Sequence, residues 1–130
     1  ELEMLSGEST ESLYEYEWEN GDILRIPPAP IIQGVVVDIQ NRVPLAKIGA
    51  KFHRTLIHLF CDLCDVIRKE SGLNRVVLSG GCFQNATLLS KMIRTLQDNN
   101  FEVFSHEQVP TNDGGIALGQ AMAAAAVAKK

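Results

Sequence analysis

The most constraining stretch is a short apolar run, "RVVLS" (75–79), stopped by Gly80-Gly81 and followed by an amphipathic segment and a second short run, "FEVFS" (101–105). Short apolar runs bounded by turn residues read as strands of a buried sheet, and two strands joined through a helix return the chain parallel to itself. Between them Leu88, Leu89, Met92, Ile93 and Leu96 recur at helical spacing, and Asn99-Asn100 ends that helix. Upstream, from Pro44 to about Lys69, Leu45, Ile48, Phe52, Leu56, Leu59, Leu63 and Val66 step by three and four along one stripe of a long helix. His53, Ile57, Phe60 and Cys64 widen its apolar arc and leave Lys51, Arg54, His58, Asp62, Asp65 and Lys69 as the wet wedge, so this helix is expected to be covered on two sides. Ser71-Gly72 ends it. The order helix, strand, helix, strand, helix calls for an α/β layer with right-handed crossovers.

The first part of the chain is less regular. Residues 1–20 read as a poorly packed segment leading into a strand, with 21–130 as the folded lobe. "LYEYEW" (13–18) alternates at period two, "ENGD" makes a turn and "ILRI" (23–26) follows, which suggests a hairpin stopped by Pro27, Pro28 and Pro30. "IIQGVVVDIQN" (31–41) gives conflicting signals, β-branched residues against helical spacing, and helix is the preferred reading. The closing segment, "DGGIALGQAMAAAAVAKK", reads as a helix of small residues capped by Asp113 or Asn112 and suited to close packing.

Composition narrows the function. The chain has 130 residues, 45% hydrophobic and 22% charged, with a net charge of −4, which fits one ordinary globular domain or a piece of one and disfavours a nucleic-acid surface. It has no apolar run long enough to span a bilayer and no signal-peptide pattern at Glu1-Leu2-Glu3-Met4, so a cytoplasmic location without a membrane partner is expected. Cys61, Cys64 and Cys82 are expected to be reduced, because C-x-x-C here falls inside a helical pattern with no second pair or histidines at zinc spacing.

Chemistry concentrates at two glycine turns. A turn that leaves a parallel strand and feeds a helix gathers backbone N–H groups and the positive helix end in one place, which suits an anion. Gly80 and Gly81 lack the Cβ that would keep a phosphate or ribose from the main chain, and Asn85 offers hydrogen bonds to a sugar or base. On residues alone the alternative stands: the glycines make the turn and Asn85 caps the helix. "VPTNDGGIALGQ" repeats the device with Asp113 before Gly114-Gly115, so the two turns can form two walls of one cleft. Asp113 either caps its helix or holds a hard cation, and one carboxylate needs further ligands for the latter.

At these residues a family resemblance enters. "VVLSGGCFQN", "FEVFSHEQVPTNDGGIALGQA" and the upstream "KFHRTL" resemble the C-terminal end of the HypF-type carbamoyltransferases that mature [NiFe] hydrogenases, over roughly residues 22–128. The resemblance implies one lobe of an actin-like, ribonuclease-H-like ATPase-superfamily fold, with a short, mostly parallel sheet packed by helices. It implies that Ser79, Gly80, Gly81 and Asn85 belong to an adenine-nucleotide turn, with Gly114 and Gly115 as the neighbouring wall and Asp113 as a metal ligand. It further implies ATP or carbamoyl-adenylate and a divalent metal as cofactors. The partners implied are the remaining domains of a longer chain and a maturation protein whose C-terminal cysteine accepts the carbamoyl group. This segment alone is expected to be inactive, and no catalytic residue is assigned to it. The sequence departs from the family in two respects: the H-x-x-x-H metal pair of the preceding lobe is absent, since His53 and His58 are five apart in the long helix, and Cys82, to which no catalytic role is attached, stands where a small apolar residue is common. His53 is a candidate for facing a cleft, although a packed helix histidine is the preferred reading. Two alternatives remain, the nucleotide lobe of a related sugar-kinase-like or tRNA threonylcarbamoyl-transfer enzyme, and a non-catalytic interaction module.

Overall fold

The computed structural model describes residues 12–19 and 23–128. The chain divides into two compact units, residues 1–60 and 61–130.

In the first unit the expected hairpin shrinks to a single antiparallel bridge, Glu19 with Arg25, and the turn residues 20–22 lie outside the described residues. The reason is where Tyr14 spends its backbone. Its N–H donates to the Thr55 hydroxyl at 2.9 Å, and that hydroxyl donates to the Lys51 carbonyl at 2.9 Å, so a helix takes the bond that a strand partner would have used. Tyr14 is buried at 3% exposure against Ile31 and Leu59, with Tyr16, Ile26 and Val35 around them. Residues 31–41 resolve as helix: α1 spans Ala29–Gln40, entered from Pro28 with a proline in its first turn. Gly34 of α1 faces the Tyr14 ring, and a Cβ there would stand 2.5 Å from Cδ1. The long helix, α2, spans Leu45–Ser71, close to the range read from its stripe. Ile48, Thr55, Ile57, Leu59 and Cys61 are buried on it, while Phe52, Phe60 and Ile67 remain exposed. Lys51 is not simply wet: its Nζ lies 3.2 Å from Asp38 Oδ2 and 4.1 Å from the centre of the Tyr14 ring. His53 Nδ1 bonds the Gly49 carbonyl one turn back at 2.9 Å.

The second unit is the β-α-β element that the sequence implied. Strand β1 (Arg75–Leu78) pairs in parallel with β2 (Glu102–Ser105), and α3 (Ala86–Asp98) connects them. Leu88, Met92 and Leu96 bury the inner face of α3, and Leu78 and Phe101 are buried as well. The Arg68 guanidinium ties the amino ends of both strands. It donates to Asn74 Oδ1 at 3.1 Å and to the Asn99 carbonyl at 2.9 Å, pairs with Asp65, and stacks 3.9 Å from the centre of the Phe101 ring. Asn74 continues the clamp by donating its side chain to the Asn100 carbonyl at 2.7 Å. Asn100 takes the left-handed conformation, φ 63°, that ends α3 and turns the chain into β2. The last helix, α4 (Ile116–Ala128), has no buried residue. No helix among the described residues is long and apolar enough to cross a membrane.

Two outcomes follow. The Tyr14 hydroxyl donates to Asp38 Oδ2 at 2.7 Å, and this bond together with Lys51 holds the Asp38 carboxyl below its ordinary 3.8 against the opposing effect of burial. Burial first, then Asp38, pushes the Tyr14 phenol up to about 12. A lowered carboxyl stabilises the fold above its ordinary range and loses that contribution as pH falls through the folded value. Asp38→Asn should therefore lower the urea midpoint at pH 7, with the gap from wild type closing in acid. The Tyr14 contribution has the opposite sense, being intact below pH 10 and lost as pH rises toward 12. In the second unit Arg68→Lys keeps the charge but loses the planar fork and the stacking, and should destabilise by about 1 kcal/mol in the same unfolding measurement.

Candidate functional site at the carboxyl ends of the strands

Parallel strands leave their connecting loops at one edge, and in open α/β sheets that edge is where ligands bind. Here β1 ends at Leu78 and β2 at Ser105, and these residues are register partners. One step further along the same register, Ser79 Oγ lies 2.9 Å from His106 Nε2. The next residue, Gly80, donates its N–H to the Thr111 carbonyl at 2.8 Å. The segments that follow β1 and β2 are thereby bonded to each other, side chain to side chain at Ser79 and His106 and main chain to main chain at Gly80 and Thr111.

The four residues of the first turn have different reasons for their identity. Gly80 sits at φ 113°, ψ 160°, a conformation that side chains rarely adopt. Gly81 opens a short 3-10 turn, Gly81–Gln84, with an ordinary φ, and a Cβ added to it would meet nothing within 4 Å. Neither backbone geometry nor crowding thus requires glycine at 81, and its main chain faces open space. Because the 3-10 turn intervenes, the glycines do not feed α3 directly. Asn85 does, and its Oδ1 accepts from the Leu88 N–H at 3.1 Å, so the capping reading is realised. Cys82 is exposed in the same turn.

In the second turn Asn112 is the cap, its Oδ1 accepting from the Gly114 N–H at 3.0 Å. Asp113 is left exposed at the start of a second 3-10 turn, Asp113–Gly115, which runs into α4. Gly115 has a packing reason, since a Cβ there would stand 2.9 Å from the Pro110 carbonyl oxygen, and at Gly114 it would stand 3.1 Å from Asn112 Oδ1. These two glycines shape the loop around Pro110 and Asn112.

At Gly81 the main chain is uncrowded, and Asp113 is exposed in the loop that follows β2. For a metal the residues are incomplete, because no cluster of three His, Cys, Asp or Glu occurs among the described residues and Asp113 supplies one carboxylate. No chemical step is drawn through a metal on this chain. Cys61 is buried, and burial first, then Cys64, Asp62 and Asp65, push its thiol up to about 11. Cys64 is raised by burial too, then by Asp65, with Arg68 opposing. Both are poor thiolates, in keeping with reduced, inert side chains.

His106 was not singled out from the sequence. The signal that could have found it is the spacing of the strands: once Leu78 is aligned with Ser105, Ser79 falls opposite His106.

Residues 1–120 match the family described as the carbamoyltransferase, Kae1-like domain, second subdomain. The chain is 32% identical over 115 residues to the carbamoyltransferase HypF of Synechocystis sp., covering 88% of this chain and 14% of that protein. Against the HypF of Rhodobacter capsulatus it is 34% identical over 101 residues, 78% of this chain and 13% of that one. A crystal structure of full-length HypF in the phosphate- and nucleotide-bound form aligns with a TM-score of 0.88 at 43% identity, covering 95% of this chain and 16% of that chain. The short parallel sheet packed by helices agrees with the actin-like lobe that the resemblance implied. The chain thus spans about a seventh of the length of the relatives it matches, and it belongs to the HypF carbamoyltransferase family as the second subdomain of the Kae1-like domain.

Proposed function

We propose that this subdomain is the nucleotide-facing lobe of a HypF-type carbamoyltransferase, in which Ser79, Gly80, Gly81 and Asn85 form one wall of an adenylate site and Asp113, Gly114 and Gly115 the other. The observation that carries the reading is Gly81, a glycine with open space above it and no local need to be glycine. The Gly80 N–H is already used by Thr111, so the main-chain donors offered to a phosphate are those opening the 3-10 turn at Gly81 and Cys82. Asn85 acts through its cap, holding the start of α3 behind the turn. Asp113 would be one carboxylate ligand of a divalent metal whose other ligands come from outside the described residues, and that metal would neutralise phosphate charge.

In the whole enzyme the adenylate is that of carbamoyl-adenylate, formed from ATP and carbamoyl phosphate, and the carbamoyl group passes to the C-terminal cysteine thiolate of a partner protein. The raised thiols of Cys61 and Cys64 support an acceptor supplied from elsewhere. The role of this lobe is then to bind and orient the adenylate, and the reacting groups belong to other parts of the assembly. A purely structural module is favoured in part by the cap made by Asn85 and the close approach at Gly115, but that reading leaves Gly81 unexplained.

The test is equilibrium binding of AMP to the full-length enzyme and to its Gly81→Val variant. Since a Cβ at this position meets nothing within 4 Å, the unfolding midpoint should change little while one class of nucleotide site weakens at least tenfold or disappears. AMP binding identical to wild type would overturn the proposal. Asp113→Ala should weaken the same site only when magnesium is present.

A further inference from the structure

We infer that His106 is a positioning residue of this nucleotide site, acting through Ser79 to hold the two glycine turns at a set separation; the inference rests on the nucleotide reading above. Three observations carry it. First, Ser79 and His106 extend the β1–β2 register by one step at the carboxyl edge, so the sheet itself delivers them to each other. Second, their 2.9 Å side-chain bond is immediately followed by the 2.8 Å main-chain bond from Gly80 to Thr111, and together these link the first turn to both ends of the segment 106–111 that leads to Asp113. Third, Gly80 has no side chain of its own to hold its unusual conformation, and Gly81 has no neighbour within 4 Å of where a Cβ would be. The first turn is thus held by its own main-chain bonds, Phe83 N–H to the Gly80 carbonyl and Asn85 N–H to the Cys82 carbonyl, and by the two links to the loop beside it.

The chemistry of the pair suits a fixed strut. A serine hydroxyl both donates and accepts, so it satisfies His106 Nε2 in either ring tautomer. Ser79 is exposed and His106 half-buried, so removing the bond leaves no buried polar group stranded and the fold should survive. The ligand class whose binding would sense the change is a nucleoside phosphate lying across the two turns.

The experiment is a double-mutant cycle in the full-length enzyme with AMP as the probe, reading affinity and unfolding midpoint together for Ser79→Ala, His106→Ala, the double variant and His106→Gln. Each alanine variant should weaken AMP by about three- to tenfold, the range of one net hydrogen bond, with the midpoint unchanged. The double variant should be no worse than either single one, and His106→Gln, which can still donate to Ser79, should recover most of the affinity. Gly81→Val is carried alongside as the reference. If Gly81→Val loses AMP while His106→Ala keeps it, or if the two alanine losses simply add, the strut is refuted and the nucleotide site stands. If Gly81→Val also keeps wild-type affinity, the site itself is refuted, and the strut with it.

Discussion

The carboxyl edge of the sheet is defined by one main-chain hydrogen bond, from the Gly80 N–H to the Thr111 carbonyl, beside the Ser79–His106 side-chain bond. Two strands of four residues make a small sheet, and the loops beyond its carboxyl edge would otherwise have little to define them. The bond is available because Gly80 takes a backbone conformation closed to most side chains, which turns its N–H toward the neighbouring loop. At the opposite edge Arg68, Asn74 and the helix-ending Asn100 do the corresponding job with side chains. The sheet is thus clamped at both ends, by side chains where nothing needs to approach and largely by backbone where the main chain is to be left open.

Much of this was legible in the residues, for identifiable reasons. The stripe of α2 and the helix between the two strands declare themselves because each buries one continuous face, and the paired asparagines end α3 by a local conformational preference. Among the described residues the hairpin is reduced to the Glu19–Arg25 bridge because alternation in "LYEYEW" signals which side chains are buried, not which partner takes the backbone; Thr55, 41 residues away, takes the Tyr14 N–H. For residues 31–41 the β-branched run argued for a strand, and the prolines at the entry decide for helix by pre-setting the first turn. Glycine identity was legible, but the reason behind each glycine was not. Gly80 is dictated by φ and Gly115 by the Pro110 carbonyl, whereas Gly81 has neither reason. His106 lay beyond reach without the strand register.

The outer surfaces match a subdomain of a larger protein. Val77 and Phe104 are register partners exposed at 68% and 47% on one face of the sheet, and α4 is apolar on every side yet carries Met122 at 66% and Val127 at 74% exposure. A helix apolar all round belongs to a protein interior. The aligned stretch is only about a seventh of each relative.

The most direct measurement is a crystal structure of the full-length enzyme soaked with AMP, examined at the turn that follows β1. An adenylate phosphate within hydrogen-bonding distance of the Gly81 and Cys82 N–H groups, with the Gly80–Thr111 bond retained, is the expected result. AMP ordered elsewhere in the enzyme with this turn left bare, or bound here only after the two turns have separated, would contradict the account.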